Sequence, residues 1–189
     1  MKKSLIVKMN KGQIQLIIGP MFCGKSTELI RRINRYIRAK RSFIALKYEK
    51  DTRYETDIIK RKIMTHDGIS IEAYPCSKLF DAIDLIKDVE VVGIDEGQFF
   101  ADIAEFADKV ADMGKIVVIS ALDGDFQRKP FGRIYELIPK AEEIIKLRAI
   151  CAKCGGEASF SKRTVASTEV ELIGGSESYV AACRHCYHI

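Results

Sequence analysis

A chain of 189 residues, 47% of them hydrophobic and 30% charged, holds enough apolar side chains for one ordinary core plus at most a small appended unit. Its net charge of +5 suits an anionic small molecule but is too modest and too scattered to indicate a nucleic-acid surface. No run approaches the ~18 apolar residues that cross a membrane, and the stretch between Lys3 and Lys8 is short for a secretory signal, so a cytoplasmic location is expected.

In chain order, Gln13 to Ile18 is an apolar run that reads as a buried strand. It leads into Gly19-Pro20-Met21-Phe22-Cys23-Gly24-Lys25-Ser26, which fits G-x-x-x-x-G-K-[S/T], a phosphate-binding loop. The glycines let successive backbone N–H groups turn inward toward phosphate oxygens. Lys25 then reaches the outer phosphates and the Ser26 hydroxyl ligates the accompanying Mg²⁺. Leu29, Ile30, Ile33 and Ile37 follow at helical spacing, which supplies the strand, loop and helix context that the motif requires. The reading is an ATP site.

Phe43 to Tyr48 predicts a second strand, and a polar region without clear periodicity runs from Glu49 to about Gly68. Leu79 to Lys87 reads as a short helix, and Val89 to Ile94 as a strand that stops at Asp95-Glu96. A helix is expected over Ile103 to Met113, closed by Gly114. Strands are expected at Ile116 to Ile119 and at Glu143 to Leu147. Apolar strands alternating with helices predict an α/β fold of P-loop NTPase type, a mostly parallel sheet with helices on both faces. Near Cys151 the composition changes, so residues 1–150 are expected to form the ATP-binding domain and 151–189 a small zinc-binding β unit.

In such a sheet, ligands collect at the carboxyl ends of the strands. Asp95 is therefore assigned to the metal, directly or through water, and Glu96 to accepting a proton from an attacking hydroxyl or water. A P-loop ATPase that couples hydrolysis to other work would use the same pair, and dependence of ATP turnover on a nucleoside separates the two readings.

Cys151-x-x-Cys154 and Cys183-x-x-Cys186 form two pairs separated by 28 residues. Four thiolates complete a tetrahedral zinc site with no open position, hence a structural one. The long excursion costs only about 0.5 kcal/mol more in closure entropy than a usual ribbon spacing. Within it, Val170 to Gly175 and Ser178 to Val180 alternate around Gly174-Gly175, which suits a lid pinned at both ends.

Taken together these blocks resemble the cytosolic-type (type II) thymidine kinase family. The likeness runs from about Gly12 to Tyr187, through Asp51-Thr52-Arg53-Tyr54, Thr65-His66-Asp67, Gly93 to Phe100, Ala121 to Phe131, Ile173-Gly174-Gly175 and the four cysteines. The resemblance implies transfer of the ATP γ-phosphoryl group to the 5′-hydroxyl of thymidine in DNA precursor salvage. It makes Glu96 the general base and Asp95 and Ser26 the magnesium-associated positions, and it adds Asp51, Thr52, Arg53 and Gln98 on the nucleotide side. It further implies a base pocket of Met21, Phe99, Leu122, Phe126, Phe131 and Tyr179, with Phe126 stacking on the base. Backbone from Val170 through Glu171, Leu172 and Ile173 to Gly174 would bond the base edge, and Arg53 or Arg163 would meet negative charge on the transferring group. A homotetramer and inhibition by thymidine triphosphate are implied in the same way. The segment from Glu55 to Met64 is longer and more basic than the resemblance leads one to expect.

Overall fold

The computed structural model describes residues 11–50, 61–65, 68–167, 169–172 and 174–189. Strand β1 (Gln13–Gly19) carries Ile14, Leu16, Ile17 and Ile18, all buried, and passes through the phosphate loop into helix α1 (Lys25–Arg38). Strand β2 (Phe43–Tyr48) follows, then an antiparallel hairpin of β3 (Lys62–Met64) and β4 (Ser70–Glu72). After it come β5 (Tyr74–Cys76), β6 (Val91–Ile94), helix α2 (Ile103–Asp112), β7 (Ile116–Leu122) and β8 (Glu143–Lys146). The six longer-range strands form one sheet in the order β5-β2-β6-β7-β1-β8, parallel throughout.

Successive side chains of a strand point to opposite faces, and here both faces are covered. Leu16, Val92 and Ile119 pack with Phe100, Phe106 and the rest of the α2 side. Ile17, Val91 and Val118 pack with Leu29, Ile30 and Ile33 of α1. The expected doubly covered parallel sheet is therefore present. The polar side of α1 is also organised: Arg32, 6% exposed, bonds Glu28 (2.8 Å), Gln15 (3.0 Å) and Glu143 (2.8 Å), which joins the helix to β1 and β8.

Three details differ from the sequence reading. Leu79 to Lys87 is a 3-10 turn over Leu79–Ala82 continued by turns, not a helix, with Leu79 and Ala82 buried three residues apart as that tighter period requires. Strand β5 and the β3–β4 hairpin were not anticipated, because three-residue strands give alternation nothing to repeat over. A further 3-10 segment, Ile134–Lys140, buries Ile134 and Leu137 beneath α2.

Past β8 the chain forms two small antiparallel pairs, β9 (Ala149–Ile150) with β10 (Glu157–Ala158) and β11 (Phe160–Arg163) with β12 (Tyr179–Ala182), then a one-turn helix α3 (Arg184–Tyr187). Ala149, Cys151, Ala158, Ala181 and Cys186 form its own small core.

Two outcomes follow from the α1 packing. A Cβ added at Gly93 would stand 2.5 Å from Ile33 Cδ1, so in Gly93→Ala the buried Ile33 side chain must repack against the sheet; a loss of roughly 1–3 kcal/mol is expected in urea unfolding, and an unchanged midpoint would refute that close approach. Hydrogen bonds from Arg31, with help from Arg32, pull the Glu28 carboxyl from an ordinary 4.5 down to about 2. A carboxyl depressed in the folded state stabilises it above the unfolded value and stops doing so as pH falls through the folded value. Thermal melts of Glu28→Gln should therefore converge with those of the unaltered chain between about pH 4.5 and 2.

Candidate active site

The phosphate loop leaves β1 through Gly19, whose φ of +150° suits glycine and where a Cβ would stand 2.6 Å from the Leu147 carbonyl oxygen. Phe22 (φ +64°) and Gly24 (φ +83°) are left-handed, and this curls the backbone toward the N-terminus of α1. That end carries the helix's partial positive charge and its unpaired N–H groups, a natural seat for phosphate. Lys25 Nζ donates to the Pro20 carbonyl at 2.7 Å across the loop. Outside the loop, Met21 N–H donates to Ser161 Oγ of β11 at 2.9 Å, and Cys23 packs on the small C-terminal core, where burial pushes its thiol up. The C-terminal unit thus supports the loop from behind.

Strand β6 delivers the carboxylates. Asp95, 6% exposed, accepts from Ser26 Oγ at 3.2 Å and from Ser120 Oγ of β7. Glu96 stands in the left-handed region at φ +54°, ψ +42°, and that turn brings it to the same end of the sheet as Asp95. Gln98 Nε2 donates to Glu96 Oε2 at 2.6 Å, and Gln98 Oε1 accepts from Leu122 N–H at 2.9 Å. A buried side chain of Gln98 thus fixes the carboxylate to the next strand.

A cavity of about 420 Å³ opens between the loop and the C-terminal unit, within the usual range for small-molecule sites. Its floor is Met21, Phe22, Gly24, Lys25, Ser26 and Thr27, with Glu96 and Gln98 beside them. Its walls are Phe99, Leu122, Phe126 and Phe131, and its roof Val170, Leu172, Gly174 and Tyr179. The aromatic wall is itself braced: Phe99 stacks on Tyr48 at 5.1 Å and meets Phe131 edge-on at 5.5 Å. Burial, and then the carboxylate of Glu171, push the Tyr48 hydroxyl pKa up. The hairpin bearing Phe126 is held by Asp125, whose Oδ1 accepts from Gln127 N–H (2.8 Å) and Lys129 N–H (2.9 Å). Tyr187 closes it from the other side by donating its hydroxyl to the Phe126 carbonyl.

The four expected ligand cysteines meet. Their Sγ atoms all lie within 4.8 Å of one another, and Cys154 Sγ is 3.8 Å from Cys183 Sγ. Thiolates ~2.3 Å from a tetrahedral zinc ion would be ~3.8 Å apart, so the donor set fits such an ion. N–H groups of Cys183, Cys154 and Lys153 pull the Cys151 thiol down to about 6, while burial and the neighbouring cysteines push Cys186 up to about 12.

Most of the expected site residues line the one cavity. Gly19, Pro20 and Cys23 shape the loop without lining the cavity, Asp95 stands behind Ser26, and Glu171 and Arg163 lie outside the lining. Asp51, Thr52, Arg53 and Ile173 lie outside the described residues, as does most of the segment from Glu55 to Met64. The sequence reading missed Ser120, Ser161, Thr65 and Glu177. Ser120 directly follows the apolar run Ile116 to Ile119, and a hydroxyl at the carboxyl end of a buried strand is a readable signal. Nothing local marks Ser161, because its role lies in a bond to a residue 140 positions away.

A phosphate loop at the end of β1, a hydroxyl–carboxylate pair beside it and a second carboxylate on the same aromatic-walled cavity place the molecule in the class of P-loop nucleotide-dependent phosphotransferases. Comparison with known proteins is more specific. The family model described as thymidine kinase matches residues 12–187. The Variola virus thymidine kinase is 54% identical over 179 residues, covering 95% of this chain and 98% of that one. Thymidine kinase 1 of Dictyostelium discoideum is 50% identical over 184 residues, covering 97% of this chain and 81% of that one. The chain belongs to the thymidine kinase family. Among solved structures, the flagellar accessory protein FlaH of Methanocaldococcus jannaschii aligns with a TM-score of 0.50 at 13% identity over 85% of this chain and 76% of that one, a likeness of fold alone.

The cysteine geometry generates a direct test. Cys154→Ala leaves three thiols, so bound metal measured by elemental analysis should fall well below that of the unaltered chain after dialysis against a mild chelator. Equal retention would show that Cys154 is not a ligand.

Proposed function

We propose that this nucleoside kinase transfers the γ-phosphoryl group of ATP to the 5′-hydroxyl of thymidine, giving thymidine monophosphate for DNA precursor salvage. The observation that carries the reading is the single cavity that joins Lys25, Ser26 and Glu96 at one end to an aromatic wall and a backbone-lined lid at the other, in a chain of this family.

Phosphoryl transfer depends on positioning and on neutralising charge. Lys25 and the N–H groups of the loop would hold the triphosphate. Ser26 and Asp95 would hold Mg²⁺, which supplies charge neutralisation across the phosphates when bound. Glu96 accepts the proton of the 5′-hydroxyl, and Gln98 holds the Glu96 carboxylate at 2.6 Å beside the cavity that would take the substrate. Phe126 stacks on the base, with Phe99, Phe131, Leu122 and Met21 completing flat apolar walls. Backbone groups of Val170 to Gly174 read the base edge, since main-chain groups in a tied loop do not rotate away.

The cysteine cluster is read as a structural Zn²⁺ site, because four thiolates fill a tetrahedral shell. Residues 1–150 then act as the ATP-binding domain and 151–189 as the zinc unit that carries the lid. Thymidine triphosphate is read as a feedback inhibitor, since one molecule would offer both the nucleoside and the phosphates for which the cavity has walls. A homotetramer in the cytoplasm completes the reading, on the strength of the family resemblance. Among the described residues no helix is long and apolar enough to cross a membrane.

Release of ADP from Mg-ATP should require thymidine and be far slower with deoxycytidine or no nucleoside. Nucleoside-independent release would favour a P-loop ATPase instead. Glu96→Gln should still bind ATP, measured by calorimetry, and lose roughly 10²–10⁴-fold in turnover. Near-normal turnover would remove Glu96 from the proton transfer.

A further inference from the structure

Arg163, the last residue of β11, gives its donors to the lid. Nη1 donates to the carbonyls of Ser167 (3.1 Å) and Glu169, and Nη2 donates to the Val170 carbonyl (3.3 Å) and to Tyr179 Oη (2.5 Å). The Tyr179 hydroxyl in turn donates to the Leu172 carbonyl at 2.8 Å. The face of the same guanidinium stacks on Phe126, with Cζ 3.7 Å from the ring centroid, and Cζ lies 5.1 Å from the Tyr179 ring. Phe126, Tyr179, Val170 and Leu172 all border the cavity, whereas Arg163 does not. The guanidinium therefore lies behind the surfaces that would meet a nucleoside.

We infer that Arg163 is a positioning residue for nucleoside recognition, a clamp that sets the lid backbone and the Phe126 wall relative to each other without touching substrate. The inference rests on the reading that Phe126 and the lid hold the thymidine base. A planar fork with five donors can bond several carbonyls at its edge while its face stacks on an aromatic ring. A lysine in its place keeps the charge but offers neither the fork nor the flat face. With the carbonyls of residues 167, 169, 170 and 172 taken by Arg163 and Tyr179, the lid's conformation is set from behind. A base edge would then meet a lid backbone whose conformation is already fixed.

The role makes a distinctive kinetic demand. Removing the clamp loosens one substrate's pocket and leaves the phosphate loop, which is braced separately by the Met21–Ser161 bond, in place. In Arg163→Ala, loss of one or two charge-assisted hydrogen bonds should raise the thymidine KM roughly 10–100-fold. The ATP KM should stay within about twofold and kcat should change little, the pattern of lost ground-state binding. Arg163→Lys should be impaired in the same direction, and added guanidinium ion should partly restore the thymidine KM of Arg163→Ala but not of Arg163→Lys. Metal content and the melting profile, measured on the same samples, report the integrity of the cysteine cluster. A fall in kcat at unchanged thymidine KM would place Arg163 on the reacting phosphoryl group and overturn the inference. Parallel rises in both KM values would make it a general structural residue and overturn it too. Should Arg163→Ala fail to fold, Tyr179→Phe removes only the hydroxyl that links Arg163 to Leu172. A thymidine-specific KM rise there supports the clamp, and unchanged kinetics overturn it. If the unaltered chain shows no thymidine-dependent turnover, the functional reading fails first and the clamp with it; unimpaired variants of an active kinase sink the clamp alone.

Discussion

Everything at the site depends on the parallel register of three central strands. Gly19 of β1 pairs with Leu122 of β7, and Ile94 of β6 pairs with Ile119 of the same strand. The chain therefore leaves all three strands at the same edge of the sheet, β6 three residues before β1, so the phosphate loop, the Asp95-Glu96 pair and the Leu122 wall emerge at that one edge. A one-residue slip in a strand sends each of its side chains to the opposite face. With both faces of this sheet packed, such a slip would set every strand side chain against the wrong neighbours in a close-packed core. The register is held by the core itself, and the site inherits its precision from that packing.

On this platform the C-terminal unit does two jobs through separate contacts. Ser161 and the small core around Cys151 brace the phosphate loop from behind, through the Met21 amide and the Cys23 side chain. Tyr187 and Arg163 brace the Phe126 hairpin and the lid. The cysteine cluster lies at the root of both sets. A metal ion bound there would tie distant segments of chain into one support, because its ligands come from positions that the lid excursion separates.

The parts of this arrangement that were readable in the sequence are those with a local signature. A glycine-punctuated loop after a strand, carboxylates at a strand end and paired cysteines each announce their chemistry within a few residues, and the long apolar strands gave the sheet. What escaped had no local signature. Ser161 looks like any β-strand serine until its contact with the phosphate loop is seen, and Gln98 looked like a nucleotide-side residue although its amide connects Glu96 to Leu122. The resemblance implies Arg53 or Arg163 at the charge of the transferring group; Arg53 lies outside the described residues, and Arg163 gives donors to the carbonyls of Ser167 and Val170, contacts that no local signal marks. The three-residue strands β3, β4 and β5 are recognisable only by their partners.

Glu96 shows how the fold accommodates a locally unfavourable conformation at the edge of the cavity. A left-handed non-glycine residue costs on the order of 1–3 kcal/mol unless its surroundings over-determine it. Here they do. Gly97 fits beneath, where a Cβ would stand 2.9 Å from Ile119 Cγ2, and the Gly97–Phe99 turn closes with Phe99 N–H on the Glu96 carbonyl at 3.1 Å. Gln98 then pins the carboxylate. Glycine at 96 would relax the backbone at once, but it would carry no carboxylate to face the cavity. A β-conformation at 96 would continue the strand and, by its alternation, send neighbouring side chains to opposite faces, separating Glu96 from Asp95. The left-handed turn brings two consecutive acids to one end of the sheet, and the buried Asp95, held by the Ser26 and Ser120 hydroxyls, anchors the strand end from which that turn is made.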